Sequence, residues 1–149
     1  SFREGRPDEA GRLADWDGEA CHEAAQEIFR ESGALYAEYF RRGRHFAPGD
    51  RFWVAENPRG DWAGVIWGRC WKASDGTAEV VEVQLWFVDS EYRGLGLGAR
   101  LLELLREAYE PRAALMLIVP VNDRRLEGPL GRSGFQAMGR LWVAPGTDL

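Results

Sequence analysis

Residues 93–98 read Arg-Gly-Leu-Gly-Leu-Gly. Three glycines at alternate positions behind an arginine suit one kind of chemistry, the holding of an anion. Glycine takes positive φ at no steric cost and lets a ligand reach the backbone with no Cβ in the way. The run ahead of the loop, Glu82 to Val88, is β-branched and aromatic, and the run from Leu97 onward is rich in leucine. A strand that turns through such a loop into a helix leaves N–H groups unbonded at the helix start, where the positive end of the dipole adds to them. The expected ligand is a phosphate or pyrophosphate. Two common cradles are excluded by spacing: a dinucleotide fingerprint needs its third glycine one residue later, and a Walker loop needs Gly-Lys-Ser/Thr where this chain has Gly98-Ala99-Arg100. The alternative is a strand-to-helix connection that binds nothing.

A second chemistry rests on Glu82. Regular alternation along residues 78–88 puts Val81, Val83, Leu85 and Phe87 on one face and Glu82, Gln84 and Trp86 on the other. A carboxylate flanked by Trp86 and other aromatics is suited to take a proton as a general base. The competing role is a carboxylate facing solvent or pairing with an arginine. No metal site is expected, because His22, His45, Cys21 and Cys70 form no recognised ligand spacing. No Gly-x-Ser-x-Gly context for a serine nucleophile occurs either.

The elements that position these residues follow from periodicity. Residues 2–6 read as an edge strand, and Pro7-Asp8-Glu9 as a helix start that Gly18 interrupts, with a second helix from Glu19 to Arg30. Arg51 to Glu56, Trp62 to Trp71 and Ala78 to Val88 are strands joined by turn-rich segments, an antiparallel meander. Leu97, Leu101, Leu104, Leu105 and Ala108 form the apolar stripe of a helix that Pro111 stops. Ala113 to Val119 is continuously apolar, which predicts a strand buried on both faces and paired parallel with 78–88 through a right-handed crossover. Asn122-Asp123 caps a short helix to Leu130, and Gly134-Phe135 opens a last strand through Val143. The expected class is α/β: a single domain over 1–149, with one mixed, mostly antiparallel sheet, a central parallel βαβ crossover and helices on both faces.

The pattern Arg93-x-x-Gly96-x-Gly98, in the context Tyr92-Arg93-Gly94, resembles the acetyl-CoA-binding signature of the GNAT N-acetyltransferase superfamily, and the order of elements resembles that fold over nearly the whole chain. The resemblance implies that backbone groups of Phe87 and Val88 bond the pantetheine arm of acetyl-CoA. It further implies that Arg93, Gly94, Leu95, Gly96, Leu97, Gly98 and Ala99 hold the pyrophosphate, and that Asn122 faces the cofactor, unless it is only a helix cap. Glu82 stands where several relatives carry a glutamate base. Phe29, Tyr36, Trp53 and Trp86 would wall the acceptor site, with Tyr39 and Phe40 nearby, although aromatics at such spacing are more often core. One departure stands out: many relatives carry a tyrosine four residues before the final Gly-Phe pair, to protonate the leaving thiolate, and here that position is Leu130. Two functions follow. One is acetyl transfer to a primary amine of a small molecule or peptide by direct attack in a ternary complex. The other is a catalytically silent acyl-CoA sensor or scaffold.

Composition narrows the setting. A net charge of −5 over 149 residues disfavours nucleic acid as a partner and suits cationic amines, or simply solubility. There is no run of 18 apolar residues and no charged-then-apolar leader, so neither a membrane span nor a signal peptide is expected. Two scattered cysteines fit a reducing cytoplasm. A homodimer is left open.

Overall fold

The computed structural model describes residues 1–20, 45–72, 74–75, 79–109, 113–117 and 127–136. The chain divides into two compact units, Ser1–Ala20 with Gly43–Ile118, and Cys21–Arg42 with Val119–Leu149.

In the first unit, β1 (Phe2–Glu4), β2 (Arg51–Glu56), β3 (Trp62–Lys72), β4 (Glu79–Val88) and β5 (Ala114–Met116) form one five-stranded sheet in sequence order. The first four strands pair antiparallel, and β4 pairs parallel with β5. Helix α2 (Leu97–Ala108) is the crossover between the two parallel strands. The architecture is the expected mixed α/β sheet.

A 3-10 turn over Pro7–Glu9 leads into α1, residues 10–20. The helix runs through Gly18, contrary to the expected break. One exposed glycine costs about 1 kcal/mol in a helix, and α1 offsets that by burying Leu13 and half-burying Trp16 and Ala20 against Phe52, Trp62, Leu85 and Phe87. Trp16 meets the Phe87 ring edge-on at 5.9 Å and the Trp62 ring at 6.2 Å.

The opposite face of the sheet is covered by α2, whose Leu101, Leu102 and Leu105 are buried. Gly68 permits that approach: a Cβ there would lie 3.0 Å from Leu105 and 3.1 Å from Val81. Strand β5 is shorter than expected among the described residues, and it is not buried on both faces. Ala114 is exposed and Met116 is 41% exposed; Leu115, the register partner of buried Val81, shares its side of the sheet.

The N-terminal strand is fastened by charge. Arg3 donates to both Glu9 oxygens, at 2.7 and 2.8 Å, and also pairs with Glu56. Hydrogen bonding to Arg3 holds the Glu9 carboxyl down at about 2, against about 4.3 in an unfolded chain. A depressed carboxyl stabilises the fold above its unfolded pKa, and the contribution disappears as pH falls toward 2. Glu9→Gln is therefore expected to lower the urea midpoint at about pH 7 and to narrow the gap to wild type at about pH 2.5. An equal gap at both pH values would show that the pairing adds nothing.

In the second unit, α3 (Glu127–Arg132) ends in a Schellman motif. Phe135 N–H donates to the Leu130 carbonyl at 2.9 Å and Gly134 N–H to that of Gly131 at 3.1 Å, with Gly134 at φ +86°. Leu130 and the Gly134-Phe135 pair are thus the two sides of one helix cap.

Candidate functional site

Strand β4 stays against β3 to its end, where Asp89 N–H donates to the Ala63 carbonyl at 2.9 Å. The Asp89 carboxylate then accepts from Glu91 N–H at 3.1 Å and caps the 3-10 turn Ser90–Tyr92. Asn57, in the β2–β3 turn, donates to the Tyr92 hydroxyl at 3.2 Å and ties the loop to that hairpin. Gly94 and Gly96 follow at φ +81° and +80°, backbone that other residues adopt only with strain. Gly96 is the N-cap of α2 and supplies no side chain to it. The first helical bond runs from Arg100 N–H to the Gly96 carbonyl at 3.1 Å, so the N–H groups of Leu97, Gly98 and Ala99 have no partner within the helix. No acidic residue lies in the first turn, and a Cβ at 94 or 96 would meet nothing within 4 Å. Uncapped donors, a positive dipole end and open space beside them fit a pyrophosphate.

Beneath the loop, β4 carries an irregularity that alternation did not predict. Trp67 pairs with Leu85 and Gly68 with Val83, so Gln84 is the extra residue of a β-bulge. Faces exchange across it. On the α2 side lie Val81 and Val83 before the bulge, and Trp86 and Val88 after it; Glu82 shares the α1 side with Leu85 and Phe87. Gln84 itself is 8% exposed, and its amide Nε2 is buried with no hydrogen-bond partner among the described residues.

Among the described residues the pairing of β4 with β5 also ends here. Its last rung is Glu82 with Met116, and β4 continues to Val88 with no described β5 partner. Since Asp89 bonds to β3, alternation turns the backbone groups of Phe87 toward β3 and those of Val88 toward the opposite edge, the one that pairs with β5 at Val80–Glu82. The Val88 carbonyl accepts from Arg93 Nε at 2.9 Å, with the guanidinium over the Phe87 ring at 5.3 Å. Among the described residues nothing pairs with this edge of β4 beyond Glu82, and the glycine loop stands at the end of it.

Glu82 is half-buried at that last rung. Its Oε2 accepts from Trp71 Nε1 at 2.9 Å, the one hydrogen bond to this carboxylate among the described residues. Arg69 is its register partner on β3, but the guanidinium is turned to Asp50. Nη2 lies 2.9 Å and Nε 3.0 Å from the Asp50 oxygens, and Nη2 also donates to the His45 carbonyl at 2.8 Å. Asp50 accepts further from Trp67 Nε1 at 3.0 Å and Ala47 N–H at 2.9 Å. Hydrogen bonding to Asp50 raises the Arg69 pKa above its usual value, and the field of Glu82 adds to it.

The other expected residues divide as follows. Trp86 turns away from Glu82, because the bulge reverses its face; its Nε1 donates to the Gly98 carbonyl at 3.0 Å and braces the first turn of α2. Trp53 is 5% exposed on the α2 side and meets the Tyr109 ring at 6.4 Å, so it does not stand beside Glu82. Leu95 is 69% exposed at the loop tip. Phe29, Tyr36, Tyr39, Phe40 and Asn122 lie outside the described residues. Neither described tyrosine replaces the missing phenol: Tyr92 is in the loop with Asn57, and Tyr109 packs with Trp53 on the face opposite Glu82, where burial raises its pKa. Trp71, Gln84 and Asn57 were not expected from the sequence. A bulge leaves no mark in residue types, so only the pairing register reveals the first two. No helix among the described residues is long and apolar enough to cross a membrane, and no metal-binding cluster occurs among them.

Residues 48–130, just over half of the chain, match the family model described as "Acetyltransferase (GNAT) domain". No curated protein matches the sequence. Among solved structures, the chain is similar to an aminoglycoside acetyltransferase from an uncultured soil metagenomic sample, at 16% identity over 99% of this chain and 98% of that one, with a TM-score of 0.69. It is also similar to a ribosomal-protein-alanine N-acetyltransferase from Brucella melitensis biovar Abortus 2308, at 18% identity over 98% and 99% with a TM-score of 0.64. A variant of the BH1408 protein from Bacillus halodurans aligns at 16% identity over 99% of both chains, with a TM-score of 0.71. At these identities the likeness is one of fold.

Proposed function

Because this chain belongs to the GNAT acetyltransferase family, we propose that it is an acetyl-CoA-dependent N-acetyltransferase that acylates a primary amine by direct attack in a ternary complex. The observation that carries this reading is the continuity of three features: a carboxylate at the last described β4–β5 rung, a strand edge with no described partner beyond it, and at its end a helix start with no side-chain cap. Acetyl-CoA supplies a thioester whose C–S bond breaks as the amide C–N bond forms. The N–H groups of Leu97 to Ala99, with the loop from Arg93, hold the pyrophosphate, and the Val88 carbonyl receives a pantetheine amide once the Arg93 side chain gives way. Glu82 takes the proton that the amine must lose. The thiolate leaving group has an ordinary pKa near 8.5, so water suffices to protonate it where Leu130 replaces the tyrosine of relatives.

Thermal unfolding with acetyl-CoA, CoA, NAD and ATP added separately tests the cradle. A ligand at 100 times its Kd adds about 2.7 kcal/mol of stability. A shift with the two CoA compounds alone is expected, and its loss in Gly96→Val, since valine strains the φ +80° cap. A shift with NAD or ATP instead would overturn the assignment. The absence of that phenol keeps the silent acyl-CoA-binding alternative open, and CoA binding without CoA release on any amine would establish it.

A further inference from the structure

On the α1 side of the sheet, Glu82 has two large apolar neighbours that do not enter the core. Trp71 is 52% exposed and Met116 is 41% exposed, among the few large hydrophobic side chains left in contact with water. Both are fixed by pairing. Met116 is the β5 register partner of Glu82, and Trp71 lies two residues beyond Arg69, its β3 register partner, so the two flank the carboxylate from opposite strands.

Trp71 is also the residue that holds Glu82. Its indole N–H binds Oε2 at 2.9 Å and leaves Oε1 with no bond among the described residues. One carboxylate oxygen is thereby anchored and the other is presented. Arg69, the cation nearest in register, is committed to Asp50, whose side chain is only 2% exposed. Asp50 is in turn neutralised by Arg69. Among the described residues this stretch of the face therefore offers one uncompensated negative charge between an aromatic ring and a thioether.

We propose, resting on the transferase reading above, that the acceptor is a monoamine carrying an apolar or aromatic body. Its ammonium docks on Glu82 and its body on Trp71 and Met116, while the Trp71 indole N–H acts as the positioning residue for the base. An exposed indole face attracts both apolar surface and an adjacent ammonium. A polycation such as a polyamine or aminoglycoside would bring several charges to a stretch where, among the described residues, Glu82 is the one carboxylate without a cationic partner and Arg69 lies close by. Each further ammonium there loses water without gaining a counter-charge among the described residues.

Initial rates of CoA release at saturating acetyl-CoA provide the test. Phenethylamine and tryptamine are compared with spermidine and tobramycin for wild type, Trp71→Phe and Trp71→Ala. The two apolar monoamines are expected to exceed the polycations in kcat/KM by about ten-fold or more. Trp71→Phe keeps the ring and removes the N–H, so kcat falls about ten-fold, the scale of one charge-assisted hydrogen bond, with little change in KM. Trp71→Ala also removes the ring and raises KM about ten-fold for the apolar amines. Trp71 is half-exposed, so its truncation opens no core cavity. Preference for spermidine or tobramycin, a wild-type kcat in Trp71→Phe, or an unchanged KM in Trp71→Ala would each overturn the proposal. A protein that binds CoA in the thermal assay yet acylates none of the four amines overturns the acceptor assignment alone. One that shows no shift with CoA removes the transferase reading beneath it.

Discussion

Glu82→Gln is expected to lower kcat by about 10²–10⁴-fold, the usual contribution of a positioned general base, while acetyl-CoA affinity stays at its wild-type value. A lysine-like amine has a pKa of about 10.4, so freeing the nucleophilic lone pair at pH 7 costs about 4–5 kcal/mol. Only a group beside the acceptor can recover that cost. Glu82 is the carboxylate at the last described β4–β5 rung, and glutamine preserves its size and its acceptor for the Trp71 N–H. Steady-state rates and a calorimetric Kd for acetyl-CoA on the same preparation check both halves. A wild-type kcat would move the base to another residue. A large loss of CoA affinity would mean that Glu82 shapes the cofactor site instead.

The strand that carries this carboxylate was legible in the sequence for one reason, and the faces beside it were illegible for another. Strand β2 coincides with its expected range, β3 runs one residue further to Lys72, and β4 matches its range over the described residues Glu79–Val88. Alternating apolar residues between turn-forming segments constrain strands strongly. The loop was legible for a local reason: residues 94 and 96 need positive φ, and glycine announces that need in the sequence. The faces of β4 were not legible. Period-two counting assumes a regular pleat, and one bulged residue at Gln84 reverses every side chain beyond it. Trp86 therefore braces the helix start from below rather than the base from beside, although its type and spacing argued for the latter. Gly18 failed in the opposite sense. A local helix breaker was outweighed by the burial of Leu13 and Trp16, which no local rule weighs. Trp71 was missed because its partner Glu82 is diagonal to it across two strands, and register is a tertiary fact.

Asp50 is the second residue whose loss is expected to be severe, and its effect should appear in both stability and turnover. Its side chain is 2% exposed and accepts from Arg69, Trp67 and Ala47. Asp50→Ala leaves the Trp67 N–H buried without an acceptor and strips Arg69 of its partner. Breaking a buried pair in this way costs about 3–5 kcal/mol; the 24% exposure of Arg69 places the loss toward the lower end, measured as a fall in urea midpoint at constant m. The functional consequence is more specific. A released Arg69 has Glu82 as its register partner, and an ion pair between them would occupy the oxygen that Trp71 leaves free. Asp50→Asn, which retains acceptor and volume, is therefore expected to lower kcat, and Asp50→Asn/Arg69→Met to recover part of it despite carrying the additional substitution. Recovery would identify the buried pair as the device that keeps a cation off the base. A double variant slower than Asp50→Asn would confine Asp50 to holding the fold.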